Sequence, residues 1–265
     1  MTKNEFKTRA EMDAKMTATV CQMMESQAYR ELAAAQMFGH GLQFVPSIKW
    51  QKFMVWHIRE EFEHYEAVAK MYREFTGQSV EPITTERLSK HPISFAQSWF
   101  ELAMAQFLYD RGGFWQLKEY DDCSFVPYRK CIEKIIDEEK GHQALGERIV
   151  VELCRTGKFE AQKQKDFATW LRQGLLSFGR PNSAGNVYAI GVGLKKRDSG
   201  AVMQDFVNDI KPAVKACKLR FPTPEEMKLD VPKDLDWSLD SVDETKAEGY
   251  GTRDDDAVAI PTSLS

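Results

Sequence analysis

The sequence predicts an all-α protein built on an antiparallel four-helix bundle. Apolar residues recur at three- and four-residue spacing almost everywhere, and two-residue alternation is nearly absent. The periodic stretches are far longer than an average globular helix and are separated by short turn-like segments. With 265 residues, 43% of them hydrophobic, the chain can bury one large core without disulfide or metal staples.

The first helix is expected from about Lys7 to Phe44, stopped near Pro46. Ser47 is the natural N-cap of the second, which carries Trp50, Met54, His57, Val68, Met71 and Phe75 until Gly77 closes it. Residues 77–93 hold Pro82 and Pro92 among Ser and Thr and predict a loop, with room for one short helical turn. A third helix is expected from Ser94 through Phe100, Ala103 and Phe107 to Leu117, then a turn at Asp121–Ser124. The fourth runs from Val126 to Thr156, where Gly157 is a C-terminal cap. Further helices are expected at Glu160–Phe178 and Ala201–Cys217, with Val187–Leu194 between them open to either strand or short helix. These give a helical domain over residues 1–222. From Thr223 the chain turns Pro-, Asp- and Ser-rich, which predicts an extended or mobile acidic tail over 223–265.

Composition narrows the function. A net charge of −4 provides no field to hold a polyanion, so nucleic acid is a poor partner. Cys21, Cys123, Cys131, Cys154 and Cys217 are scattered without Cys-x-x-Cys, against a secreted disulfide framework and a thiolate zinc site. No signal-like or membrane-spanning apolar run is present in the sequence, and a cytoplasmic location is expected.

Two segments share one form: Arg59-Glu60-Glu61-Phe62-Glu63-His64 and Asp137-Glu138-Glu139-Lys140-Gly141-His142. Each contains Glu-x-x-His, which on a helix projects a carboxylate and an imidazole from one face toward one metal ion. These ionisable residues interrupt apolar stripes. Glu61 and His64 lie on the line of Trp50, Met54, His57, Val68, Tyr72 and Phe75; Glu139 and His142 lie on that of Ile132, Ile135, Leu145, Ile149 and Leu153. A charge at a core position must be paired or metal-bound, because burying it alone costs several kcal/mol.

A cluster of this kind needs a further carboxylate from each remaining helix. Glu31, on the stripe of Met24, Ala28, Ala35, Phe38 and Leu42, is the candidate in the first and is preferred to Glu25; Asp110, on that of Phe100, Ala103, Phe107, Phe114 and Leu117, is the candidate in the third. In a helical hairpin, residues at equal height lie equally far from the turn. The midpoint of Glu31 and Glu61 is Pro46, and that of Asp110 and Glu139 falls between Ser124 and Phe125, so both pairs stand about 15 residues, or roughly 22 Å, from their turns. Glu101 is the rival to Asp110; it points to the opposite side of its helix and matches the turn less well. Two divalent ions would cancel the charge of the four carboxylates. Oxygen and nitrogen donors without sulfur favour two iron ions, with manganese as the alternative.

With Glu31, Glu61, His64, Asp110, Glu139 and His142 in hand, the chain resembles the ferritin-like di-iron proteins. More narrowly it is similar to the phenylacetyl-CoA epoxidase large-subunit family, through the duplicated Glu-x-x-His and the segments Tyr109–Phe114, Phe178–Tyr188 and Ile210–Pro222. That family has a catalytic subunit and a related structural subunit with a degraded metal site. All six positions are filled in this chain, so the resemblance implies the catalytic type, a multicomponent monooxygenase of aromatic degradation. It further implies two iron ions, O₂ and two electrons from a separate reductase, insertion of one oxygen atom into an aromatic acyl-CoA, and an oligomer with the structural subunit. The competing classes are iron oxidation or peroxide removal of the ferritin or rubrerythrin kind, and the non-catalytic structural subunit itself.

Other residues carry weaker expectations. His57 is expected to support the cluster rather than join it, and Gln106 to make a polar contact near it. Tyr65 and Tyr109 adjoin cluster residues but are expected to point away from them. Ala33–Ala35 and Gly112–Gly113 leave room either for an organic substrate or for close helix packing. Lys195-Lys196-Arg197 is either solvated surface or a contact for CoA phosphates.

Overall fold

A computed structural model of the protein describes residues 5–240 and 242. Four long helical columns form its centre: α1 (Ala14–Gly41), α2 (Ile48–Thr76), the series α4 (Trp99–Ala105), a π-helical turn (Gln106–Asp110) and α5 (Arg111–Leu117), and α6 (Val126–Arg155). The short α3 (Glu81–Lys90) lies between α2 and α4, and α7 (Lys163–Leu176), α8 (Ala184–Gly191), α9 (Ser199–Ala216) and α10 (Pro224–Met227) follow the bundle. The only strand-like pairing among the described residues is an isolated bridge, Phe6 to Phe125, which fixes the N-terminal segment beside the start of α6.

Local chemistry sets the helix ends. The first helix starts at Ala14 rather than near Lys7, because the Asp13 side chain accepts from the Met16 amide at 2.7 Å and takes the N-cap. Ser47 caps α2, and Gly77, at φ 75°, ends it in the left-handed conformation that favours glycine. Two expectations need correction. Residues 81–90, expected as loop, are the helix α3: Pro82 sits in its first turn, where no amide donor is needed. The third column starts after Ser98, whose hydroxyl caps Glu101 N, not at Ser94. Residues 184–191 resolve as helix, capped by Ser183.

The apolar core is in two parts, and their positions give the topology. One part gathers Phe38 from α1, Phe53 and Met54 from α2, Phe100 and Ala103 from α4, and Ile149 from α6. The other gathers Met16 and Met24 from α1, Val68 and Met71 from α2, Leu117 from α5, and Ile132 and Ile135 from α6. So α1 and α6 run one way, while α2 and the α4–α5 column run the other. Residues 77–98, with α3, therefore cross the length of the bundle, the single long crossover of ferritin-like folds.

Against the α4–α5 column pack α7 and α9, contributing Phe167, Trp170, Leu171, Phe206, Val207 and Ile210 to the first core. Residues 223–240 lie against the same assembly. Met227, Val231 and Leu235 are buried in it, and Asp236 pairs with the buried Lys211 at 2.7 Å. The rest of the expected tail, residue 241 and residues 243–265, lies outside the described residues.

Candidate metal centre

Between the two apolar cores lies one polar layer. Glu31 follows Ala28 by one turn of α1; His57, Glu61 and His64 separate Met54 from Val68 on α2; Asp110 follows Phe107; Glu139 and His142 separate Ile135 from Leu145 on α6. All of these polar residues are buried. The structure brings together every one of the six residues singled out by spacing. Ligand atoms of Glu31, Glu61, His64 and Glu139 lie within 4.8 Å of one another, as do those of Asp110, Glu139 and His142. A third grouping, His57, Glu61 and His142, joins the two. Glu101, the rival, stays outside: its carboxylate accepts from Gln97 N at the start of α4.

The histidines are held by an exchange across the bundle. His64 on α2 bonds through Nε2 to Glu138 of α6 at 2.9 Å, and His142 on α6 bonds through Nε2 to Glu60 of α2 at 2.8 Å. Each imidazole therefore donates from Nε2 and turns Nδ1 inward. His64 Nδ1 stands 3.5 Å from Glu31 and 3.7 Å from Glu139; His142 Nδ1 stands 3.5 Å from Glu61 and 3.8 Å from Glu139. Sequence reasoning did not assign Glu60 and Glu138 a role. The signal was present, because each glutamate immediately precedes its Glu-x-x-His and the doubling occurs in both segments. Gln106 Nε2 donates to His57 Nδ1 at 3.3 Å, which leaves His57 Nε2–H to donate to Glu61 at 2.9 Å.

The donor set fits metal ions. His64 Nδ1, His142 Nδ1, Glu61 Oε2, Glu139 Oε2 and Asp110 Oδ2 are buried with no hydrogen-bond partner, although such groups are nearly always paired. Electrostatics point the same way. Burial and the neighbouring Glu139 push Asp110 well above the carboxylate range, and burial with Glu61 pushes Glu139 up to about 7. Against the downward pull of burial, Glu138 and Glu31 raise His64 to about 11. The carboxylates thus demand nearby positive charge, and cations bound at the orphaned atoms would supply it in place of protons.

A narrow cavity reaches the cluster between α1 and α5. Gln27, Arg30, Glu31, Ala34, Tyr109, Asp110, Gly113 and Glu139 are among its lining residues. Tyr109, expected to point away from the cluster, sits in the π turn and lines this cavity. The two glycines divide their expected roles. A Cβ on Gly112 would meet the Gly174 carbonyl oxygen at 2.6 Å, so that position serves close packing, whereas a Cβ on Gly113 would meet nothing within 4 Å. Lys195-Lys196-Arg197 does not present free charge. Arg197 pairs with the buried Glu119 and with Asp205, each at 2.7 Å; Lys196 pairs with Asp121; and Lys195 is buried against Asn186 and Ser199.

No helix among the described residues is long and apolar enough to cross a membrane. A comparison with curated proteins gives no match to the chain. The phenylacetic acid catabolic protein family matches residues 67–240, about two thirds of the chain, a span that holds Asp110, Glu139 and His142 and begins just after His64. An all-helical bundle with this match over most of its length places the chain in the phenylacetic acid catabolic protein family.

Proposed function

We propose that the protein is the oxygen-activating subunit of a multicomponent phenylacetate-degrading oxygenase. It inserts one atom of O₂ into the aromatic ring of a phenylacetyl-CoA-like thioester, with two electrons delivered by a separate reductase. The observation that carries this reading is the convergence of Glu31, Glu61, His64, Asp110, Glu139 and His142, from four helical columns, the last five with a buried donor atom that has no hydrogen-bond partner among the described residues.

In this reading Glu31, Glu61 and His64 hold one ion and Asp110, Glu139 and His142 the other. Glu61, Glu139 and His142 each belong to two of the groupings, and the carboxylates of Glu61 and Glu139 would be shared between the two ions. Iron held by these residues would supply the electrons that O₂ accepts. Glu60 and Glu138 fix the imidazole orientations through Nε2, and His57 steadies Glu61. Burial pulls His57 down to about 4, so it stays neutral and donates without adding charge. The apolar cores on either side keep bulk water from the layer. The filled ligand set supports a catalytic rather than a structural subunit.

The test is an anaerobic, iron-loaded and chemically reduced sample mixed with O₂, with and without phenylacetyl-CoA, followed by mass spectrometry of the thioester. A gain of one oxygen atom in the acyl group, lost in Glu61→Ala together with bound iron, is the expected result. A protein that binds no iron refutes the site, and iron oxidation with unchanged thioester, even with reductase and related subunit present, removes the substrate.

A further inference from the structure

Arg30 lies one residue before Glu31 on α1 and lines the cavity that reaches the cluster. Its surroundings are unusual for a half-buried guanidinium, which ordinarily pairs with a carboxylate. Among the described residues its hydrogen-bond partners are all neutral: the side-chain oxygens of Gln27 and Gln116, and the Ser177 carbonyl at 3.4 Å. Its Nε is buried with no partner at all. The nearest cluster carboxylate in sequence, Glu31, is kept from it by Gln27, which accepts from Arg30 through Oε1 and donates to Glu31 through Nε2. A glutamine between a guanidinium and a carboxylate leaves Glu31 free to bind metal and leaves the positive charge of Arg30 uncommitted.

The cavity as it stands holds about 20 Å³, room for a water and no more. A substrate must displace something to enter, and the bond from Arg30 to the Ser177 carbonyl, at 3.4 Å, is a long and therefore weak one on its wall. That bond already shows the kind of acceptor the guanidinium takes, a neutral carbonyl oxygen. The same wall includes the small or apolar Ala34, Gly113 and Leu117, Tyr109, and the cluster carboxylates Glu31, Glu61, Asp110 and Glu139.

We propose that Arg30 recognises the carbonyl oxygen of the acyl thioester, exchanging Ser177 O for it as the cavity opens, and so aims the acyl group at the cluster. This rests on the oxygenase reading above and specifies which substrate atom is read. The guanidinium donates from Nη1–H, which the exchange frees, and no covalent step is involved.

The experiment compares two ligands on the full-length, iron-loaded protein: phenylacetyl-CoA, and the 2-phenylethyl thioether of CoA, which lacks only the carbonyl oxygen. Equilibrium binding is measured for the wild type, Arg30→Lys and Arg30→Met. A charge-assisted hydrogen bond predicts that the wild type prefers the thioester by roughly 10- to 100-fold. Arg30→Met should bind the two ligands equally, and Arg30→Lys should keep part of the preference. Equal wild-type affinities overturn the proposal without recourse to any variant, as does a preference that survives in Arg30→Met. If the wild type binds neither ligand, the acyl-CoA reading itself has failed, and the assignment of Arg30 fails with it.

Discussion

Glu60 and Glu138 show how much of a candidate metal centre resides outside the residues proposed to hold the ions. Each accepts from the Nε2 of a histidine on the opposite helix and thereby selects the tautomer that exposes Nδ1. We predict that Glu138→Ala and Glu60→Ala each weaken iron binding by roughly 10- to 100-fold, while Glu138→Gln, which can still accept, retains most of it. Anaerobic Fe(II) titration decides this, and unchanged affinity in both alanine variants would show that the ligands orient themselves. A second residue-scale prediction concerns Asp166 on α7. Burial and the nearby Glu101 carboxylate raise it to about 6 in the folded protein, above its ordinary value of 3.8. The folded state then holds a proton that the unfolded chain has released, so stability falls as pH rises from about 4 to about 6 and is flat above. Asp166→Asn should raise the melting temperature at pH 7.5 and have less effect at pH 4.5. A gain of equal size at both values would contradict a cause that acts through the charge of Asp166.

Within the third column, the π turn at Gln106–Asp110 is the element that delivers Asp110, and it is held from outside by glycines. A Cβ at Gly146 of α6 would stand 2.5 Å from Phe107 N, and one at Gly174 of α7 would stand 2.5 Å from Leu108 O. Neither obstacle is the far end of a flexible side chain. Gly146→Ala and Gly174→Ala should therefore each cost about 1–3 kcal/mol, a fall of roughly 2–12 °C in melting temperature, and reduce iron content by displacing the turn. Gly113→Ala, where the space is open, is the control and should leave the melting temperature unchanged or slightly raised. The same element shows where the sequence was legible. Turn positions and apolar stripes placed Glu31, Glu61, His64, Asp110, Glu139 and His142 at one level, because hairpin geometry depends only on counting residues from a turn. The π turn could not be read that way: an i→i+5 bond leaves no composition signal, and the third helix is expected as one unbroken α-helix. Pro82 misled for a related reason, since proline both ends helices and begins them, and only the backbone after it distinguishes the two.

At the scale of the whole molecule, the bundle's stability extends beyond the helices that hold the site. Residues 223–240 read as tail because they are rich in Pro, Asp and Ser, yet Met227, Val231 and Leu235, four residues apart, are buried, and the proline between the last two hides that spacing. Burying each such side chain is worth about 1.5–3 kcal/mol, an upper value for an extended reference chain, and ordering the segment offsets part of it. Charge adds a second cost of removal. Lys211 is 4% exposed on α9, and its carboxylate partner, Asp236, comes from this segment, so truncation leaves a buried ammonium unpaired. We therefore predict that a chain ending at Pro222 has a clearly lower melting temperature than one ending at Val242, and that Lys211→Met recovers part of the difference in the shorter chain alone. Circular dichroism melts of the two truncations, each with and without Lys211→Met, check both statements. A chain ending at Pro222 that melts with the longer one would make the helical domain complete without this segment. A melting temperature that falls but gains nothing from Lys211→Met would assign the loss to apolar burial and leave the ion pair without weight.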